Sequence, residues 1–206
     1  AMALARAIAG GPVYISDEPS KIVSEVLTPF AYEDGKLLRT QAPATLLPES
    51  FFIHPFRGDA VFRVIAPLED QVAAIALFNF TEGGKSLRGS FSAEDYPYAG
   101  ELLQPTEGAW VSPEDGLLVY DRTTGKVTSL AGAYSSEIND FGAKLFLLYP
   151  RTEGWAVIGR TDKYLSSAAV KLKSVSEDQI VFTLKESGPL AIWSANGAPK
   201  MEGAAF

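Results

Sequence analysis

A series of short β-prone runs fills the chain after about residue 59 and constrains its fold more than any other feature. The runs are rich in Val, Ile, Leu, Phe and Tyr, recur about every 8 to 12 residues, and are separated by turn-forming sequences such as Asn196-Gly197. This pattern is typical of an antiparallel β-sandwich or barrel. The predicted strands are 60–65, 72–80, 87–91, 117–120, 126–130, 133–138, 144–149, 155–159, 168–175, 179–184 and 190–195.

The clearest alternation of apolar and polar residues lies in the run from Gln179 to Lys185. Successive side chains of a strand point to opposite faces, so Ile180, Phe182 and Leu184 share one face. We expect that face to be buried.

The N-terminal residues have a different pattern, that of a helix leading into a strand. Residues 3–9 are rich in alanine and favour a helix, the pair Gly10-Gly11 ends it, and Pro12 holds the next residues extended. Residues 13–15 are then a short β-prone run that ends at Ser16 and Asp17. This order predicts a buried strand that opens onto a functional rim.

Between this junction and the β-rich part, the sequence predicts one more helix and an ordered connector. Apolar residues recur at three and four positions between Ser20 and Phe30, which predicts an amphipathic helix stopped by Pro29. The connector carries prolines and three aromatic residues that we expect to pack on their neighbours, Phe51, Phe52 and Phe56. The predicted division is 1–30 for the helix, strand and second helix, 31–58 for the connector, and 59–206 for the β-sandwich domain.

Composition excludes several classes of function. The net charge of −7 and the lack of a long basic run argue against a nucleic-acid partner. The absence of cysteine excludes disulfides and thiolate metal sites and fits a cytoplasmic chain. A single histidine leaves no multi-histidine metal site, and we expect no cofactor. No apolar run reaches the roughly 20 residues of a membrane span, so no membrane partner is expected.

Two groups of side chains are candidates for chemistry or binding. The dipeptide Glu-Asp, as in Glu94-Asp95, occurs five times in the chain, and turn formation and solubility explain these pairs better than catalysis. Three aromatic residues in loop-like sequence could present flat faces to sugar rings or could belong to the core: Tyr96, Tyr98 and Trp110.

Four segments of the first half of the chain resemble glycoside hydrolase family 36, in the branch that holds raffinose synthases, seed-imbibition proteins and archaeal α-galactosidases. The segments follow one another in the family's order. They are Gly10-Gly11-Pro12-Val13-Tyr14-Ile15-Ser16-Asp17, Asp34-Gly35-Lys36-Leu37-Leu38-Arg39, Leu77-Phe78-Asn79-Phe80 and Gly89-Ser90-Phe91-Ser92-Ala93-Glu94-Asp95.

The resemblance implies that the N-terminal helix and strand are the last ones of a (β/α)8 barrel and that a C-terminal β domain follows. A full barrel needs roughly 250 residues. The family's two catalytic aspartates lie on earlier barrel strands, so no residue of this chain inherits a catalytic role. Ser16 and Asp17 would lie where barrel strands place substrate contacts, although a plain loop-capping role is equally open.

The leading hypothesis is therefore a C-terminal, non-catalytic part of an α-galactosidase- or raffinose-synthase-like enzyme. It would support the barrel and form one wall of the sugar cleft. Its partner would be the missing barrel portion or a second copy of the chain, with α-galactosides as ligands. A stand-alone carbohydrate-binding or protein-interaction β-sandwich module is the alternative.

Overall fold

The computed structural model describes residues 1–81, 83–100 and 110–203. The helices are α1 (Met2–Ile8) and α2 (Ser24–Leu27), with short 3₁₀-helices at Pro19–Lys21, Thr28–Phe30, Pro48–Phe52, Glu69–Gln71, Ala93–Ala99 and Ser166–Ala169. The strands are β1 (Thr45–Leu46), β2 (Phe62–Pro67), β3 (Ala73–Phe78), β4 (Leu87–Phe91), β5 (Leu117–Asp121), β6 (Lys126–Ser129), β7 (Tyr134–Ile138), β8 (Ala143–Pro150), β9 (Trp155–Arg160), β10 (Val170–Val175), β11 (Ile180–Leu184) and β12 (Leu190–Ser194). All eleven predicted strands form with small shifts at their ends, and β1 is an addition.

A six-stranded sheet in the order β1-β2-β3-β8-β5-β6 forms the centre of the molecule, and every neighbouring pair in it is antiparallel. Three two-stranded pairs accompany it, β4–β7, β9–β12 and β10–β11. The prediction of a mainly β, antiparallel fold is confirmed.

The central sheet is buried on both faces, because successive side chains of its middle strands point into two different cores. In β3, Ile75 and Leu77 belong to one core and Ala74 and Ala76 to the other. The first core is closed by β4 and β7, through residues such as Phe91. Burial on both faces explains why the middle strands read as continuous apolar runs.

The second core is covered by α1 and β9. Ile8 of α1 is 2% exposed and belongs to this core with Ile158 of β9. The helix ends at Ile8, and Gly10 follows with a φ of 70°, a left-handed conformation that glycine adopts without strain. The predicted helix and its glycine stop are therefore confirmed.

Residues 13–15 do not form the predicted strand. No strand lies alongside them among the residues that the structure describes, and Tyr14 and Ile15 are 71% and 48% exposed. A strand needs a neighbour to bond its backbone N–H and C=O groups. Without one, this apolar run stays an exposed loop between α1 and α2.

The predicted amphipathic helix over 20–30 is also replaced by shorter pieces. A 3₁₀-turn, α2 and a second 3₁₀-turn share these residues, and Pro29 lies inside the last turn instead of stopping a helix. Of the predicted apolar face, Phe30 is buried, whereas Ile22, Val23 and Val26 are exposed.

The hairpin of β10 and β11 places Ile180, Phe182 and Leu184 on one face, as predicted, but that face is only half-buried. The hairpin pairs with no strand of the central sheet. The face that carries Ile180, Phe182 and Leu184 therefore remains partly accessible to solvent.

Candidate functional site

Ser16 and Asp17 lie in the exposed loop that joins α1 to α2. The neighbouring side chains of Tyr14 and Ile15 are exposed as well. The loop thus presents two polar and two apolar side chains together on one surface. The role of Ser16 and Asp17 as substrate contacts stays a prediction.

An apolar groove of about 1050 Å³ opens beside the N-terminus of α1. Met2, Val26 and Phe141 line it and are 68%, 42% and 56% exposed. Phe141 has a φ of 47°, a left-handed conformation that is costly for a bulky side chain. Its exposed position in the groove therefore combines backbone strain with an apolar side chain that faces solvent. The other lining residues include Leu4, Phe56, Phe80, Leu145 and Tyr164.

A buried lysine holds the α2 side of this groove in place. Lys163 Nζ donates to the carbonyl oxygens of Thr28 at 3.3 Å and Ala31 at 2.5 Å. It also pairs with Glu186 at 3.2 Å, and its side chain is only 7% exposed. Burial alone would raise the pKa of the Glu186 carboxyl, but the Glu33 N–H, Lys163 and Arg160 together lower it. The hydrogen bonds from Lys163 to the Thr28 and Ala31 carbonyls fix the end of the α2 segment to the β domain, and the ion pair with Glu186 holds Lys163 in place.

Two of the three aromatic residues proposed to stack on sugars are core residues. Tyr96 is fully buried, its hydroxyl donates to the Gln71 carbonyl at 2.6 Å, and burial raises the pKa of its phenol. Trp110 is 8% exposed, and its ring lies 5.2 Å from that of Tyr96. Neither ring offers a free face to a sugar, because each packs in the first core. The expectation that Tyr96 and Trp110 stack on sugar rings is therefore wrong.

Tyr98 differs, because it is half-buried and lines a polar cleft of about 300 Å³. The cleft lies between the 3₁₀-helix Pro48–Phe52 and the segment that runs from the end of β4 into the 3₁₀-helix Ala93–Ala99. Its other lining residues are Pro48, Glu49, Arg63, Ser90, Phe91, Ser92, Glu94, Asp95 and Ala133.

Arg63 of β2 organises the floor of this cleft. Its guanidinium donates to the Ser90 carbonyl at 2.8 Å and pairs with Asp95 at 3.4 Å and with Glu49. The Arg63 and Asp95 side chains are 12% and 11% exposed, whereas that of Glu49 is 67% exposed. The cleft thus has a nearly buried ion pair, Arg63 with Asp95, at its base and an exposed carboxylate, that of Glu49, at its edge.

Asp95 also caps the 3₁₀-helix that follows β4. Its carboxylate accepts from the Ser92 N–H at 2.9 Å, while the Ser92 hydroxyl accepts from the Glu94 N–H at 3.2 Å. Burial raises the pKa of the Asp95 carboxyl, and the Ser92 N–H and Arg63 oppose that rise. The aspartate is therefore held in one orientation.

Sequence reasoning assigned Asp95 to turn formation and solubility and missed Arg63. The Ser-x-x-Asp pattern at 92–95 was the available signal, since a capping box indicates a fixed helix start. No sequence signal indicates that Arg63, about thirty positions earlier, reaches this acid. Their meeting depends on the packing of β2 beside the 3₁₀-helix Ala93–Ala99.

Within the described residues, no group of three or more His, Asp or Glu side chains is arranged to hold a metal ion. Among the same residues, no helix has the length and apolar character that crossing a membrane requires.

Residues 2–90 match the family described as raffinose synthase or seed imbibition protein Sip1. Galactinol–sucrose galactosyltransferase from Pisum sativum is 31% identical over 115 residues, which cover 55% of this chain and 14% of that protein. Probable galactinol–sucrose galactosyltransferase 6 from Arabidopsis thaliana is 32% identical over 77 residues, 37% of this chain and 10% of that protein. The chain thus spans a small part of the length of these relatives.

Among solved structures, α-galactosidase from Saccharomyces cerevisiae with raffinose superposes with a TM-score of 0.47 at 11% identity, over 72% of this chain and 42% of that one. The family match begins in α1 and ends in β4. Three of the four segments that resemble the family lie within it, and the fourth begins at Gly89 and extends beyond it to Asp95. Residues 2–90 of this chain are therefore similar to the family of raffinose synthases and seed imbibition proteins.

Proposed function

We propose that this chain is the C-terminal, non-catalytic part of an α-galactosidase- or raffinose-synthase-like enzyme that acts in the cytoplasm. It would pack against a catalytic barrel through α1 and the apolar groove beside it, and Ser16 and Asp17 would form one wall of the sugar cleft. The whole enzyme would hydrolyse or transfer an α-galactosyl group with retention.

The observation that carries this proposal is the apolar groove beside α1, a helix that lies within the segment that matches the family. Met2, Val26 and Phe141 leave apolar surface exposed around one end of the helix. Contiguous apolar surface of this kind marks interaction sites in soluble proteins. The strained backbone of Phe141 supports the same reading, since strain at an exposed apolar residue suggests a functional constraint.

The proposed partner is a barrel that would also place a strand beside residues 13–15. Their apolar side chains would then be covered, and Ser16 and Asp17 would follow the end of a paired strand. A second copy of this chain is the competing partner, since it could cover the same surface.

The test is reconstitution from two pieces. The chain is mixed with the part of the Pisum sativum relative that precedes the matched segment. We then measure the mass of the mixture by light scattering and its hydrolysis of an aryl α-galactoside. We expect a one-to-one complex that turns over substrate, while this chain alone does not.

Matched valine variants locate the contact surface. Val26 lines the groove and Val111 does not, although both are exposed. Val26→Asp should abolish the complex because it buries an unpaired carboxylate, whereas Val111→Asp should leave it intact. Folded pieces that never associate would count against the proposal. Turnover by this chain alone that Asp17→Asn abolishes would place the active site within it instead.

A further inference from the structure

The polar cleft around Arg63 is a second candidate site, separate from the groove beside α1. Its lining combines an aromatic face, that of Tyr98, with carboxylates, a guanidinium and serine groups. Pockets that bind small ligands join apolar walls to a few fixed polar groups in this way.

The polar groups at the base are fixed before any ligand arrives. Arg63 is held by the Ser90 carbonyl and Asp95, and Asp95 is held in turn by the Ser92 N–H. A ligand therefore meets an ordered surface and does not need to order it, which favours binding. Arg63 itself rests on β2, a strand of the central sheet.

An exposed phenylalanine belongs to the same 3₁₀-helix as Glu49 of the cleft. Phe52 is 94% exposed and lies three positions after Glu49 in the same 3₁₀-helix. Side chains three positions apart in a 3₁₀-helix eclipse one another, so Phe52 lies on the side of the helix that carries Glu49. Tyr98 thus lines the cleft, and Phe52 is an exposed aromatic residue of the 3₁₀-helix that supplies Glu49 to the lining. Exposure of Phe52 also corrects the expectation that the connector aromatics pack on their neighbours.

The charges of the cleft exclude two classes of ligand. Three carboxylates, those of Glu49, Glu94 and Asp95, surround the single guanidinium of Arg63, so an anion would be repelled. The described residues hold no cluster arranged for a metal ion. A neutral ligand rich in hydroxyl groups satisfies both the carboxylate acceptors and the remaining N–H donors.

From these observations we infer that the cleft formed by Arg63, Asp95 and Tyr98 binds a neutral sugar of one or two rings. Its volume of about 300 Å³ is at the lower end for small-molecule sites, which suits a ligand of that size. The hydroxyls bond to the carboxylates, and an apolar C–H face of the ring lies on Tyr98. This site does not depend on the barrel partner proposed above.

The test uses the 206-residue chain in a sugar titration followed by saturation-transfer NMR. The probes are methyl α-galactoside, sucrose and galacturonate, the last as an anionic comparison. We expect saturable millimolar binding of one or both neutral sugars and none of galacturonate.

Aromatic variants then locate the site. Tyr98→Ala should weaken binding about tenfold, and Tyr98→Phe, which keeps the ring, should stay within about threefold of the parent. Phe52→Ala should weaken it about threefold, and it removes a side chain too exposed to affect folding. Tyr14→Ala is the control, because Tyr14 is an exposed aromatic residue that does not line the cleft.

Three outcomes would overturn the inference. One is the absence of saturable binding for both neutral sugars. Another is binding that Tyr98→Ala and Phe52→Ala leave unchanged. The third is binding that Asp17→Asn removes and Tyr98→Ala spares, which would move the ligand to the loop of the proposed barrel wall. Failure of the barrel complex to form would leave this inference standing, since the two surfaces share no residue.

Discussion

Replacing Ile8 by alanine tests the docking of α1 on the β domain, on which the proposed barrel contact rests. Ile8 is 2% exposed and lies in the second core among residues such as Ala76 and Leu147. The change removes three carbon atoms, worth about 2.4 kcal/mol at about 0.8 kcal/mol for each buried methylene. The cavity left behind adds to that loss, and measured losses for Ile→Ala in cores run from about 2 to about 5 kcal/mol. We expect about 3 kcal/mol, because a short helix can shift to fill part of the cavity.

The assay is urea unfolding followed by tryptophan fluorescence, with the free energy of unfolding taken from linear extrapolation. Met2→Ala is the matched control, because Met2 lies in the same helix and is 68% exposed. It should change the free energy by less than about 0.5 kcal/mol. A similarly small loss for Ile8→Ala would refute the reasoning, since it would mean that α1 is not packed on the sheet in solution.

Three further substitutions probe the β domain. In urea unfolding, Gly159→Ala should destabilise the protein far more than Gly125→Ala. Both glycines have a positive φ, which costs about 1–2 kcal/mol with a side chain, but only at Gly159 would the new Cβ lie 2.2 Å from the Ser166 carbonyl oxygen. Equal losses would contradict the packing of this strand. Tyr149→Phe should cost about 1–3 kcal/mol, because it leaves buried partners unsatisfied, among them the Ser166 hydroxyl 2.9 Å away; a neutral result in the same assay would argue against that bond. Because the pKa of Glu186 is lowered in the folded protein, its ion pair stabilises the fold fully at pH values above the unfolded-state pKa of about 4.3. That stabilisation is lost as the pH falls through the folded-state pKa. Between about pH 6 and about pH 3, the free energy of unfolding should therefore fall less steeply for Glu186→Gln than for the parent protein. Parallel profiles would show that this ion pair does not stabilise the fold.

The strands could be predicted from sequence, whereas the local structure of residues 13–30 could not. The runs after residue 59 carry their own signal, since β-prone residues alternate with turn residues at regular spacing. The run at 13–15 has the same local preference, yet it forms no strand because a strand also requires a neighbour. Local preference predicts a strand only where a neighbouring strand completes it.

The candidate sites show a similar division. The sequence places Tyr96 and Tyr98 alike in a loop-like segment, and it could not separate the half-buried Tyr98 from the buried Tyr96, two positions away. Loop-like sequence does not reveal which side of a short 3₁₀-helix faces the core. Long-range contacts, such as those of Arg63 with Asp95, are likewise invisible to local patterns.

The sequence by itself determined a mainly β, antiparallel chain that begins with a glycine-stopped helix and resembles raffinose synthases over its first half. Those features depend on residue periodicity and turn chemistry, which act between near neighbours. The tertiary structure decided which apolar faces are covered, where Ile8 packs and which carbonyls Lys163 bonds. It also decided which residues line the cleft around Arg63. These properties arise from contacts between residues far apart in the chain, so they exist only once the strands have packed.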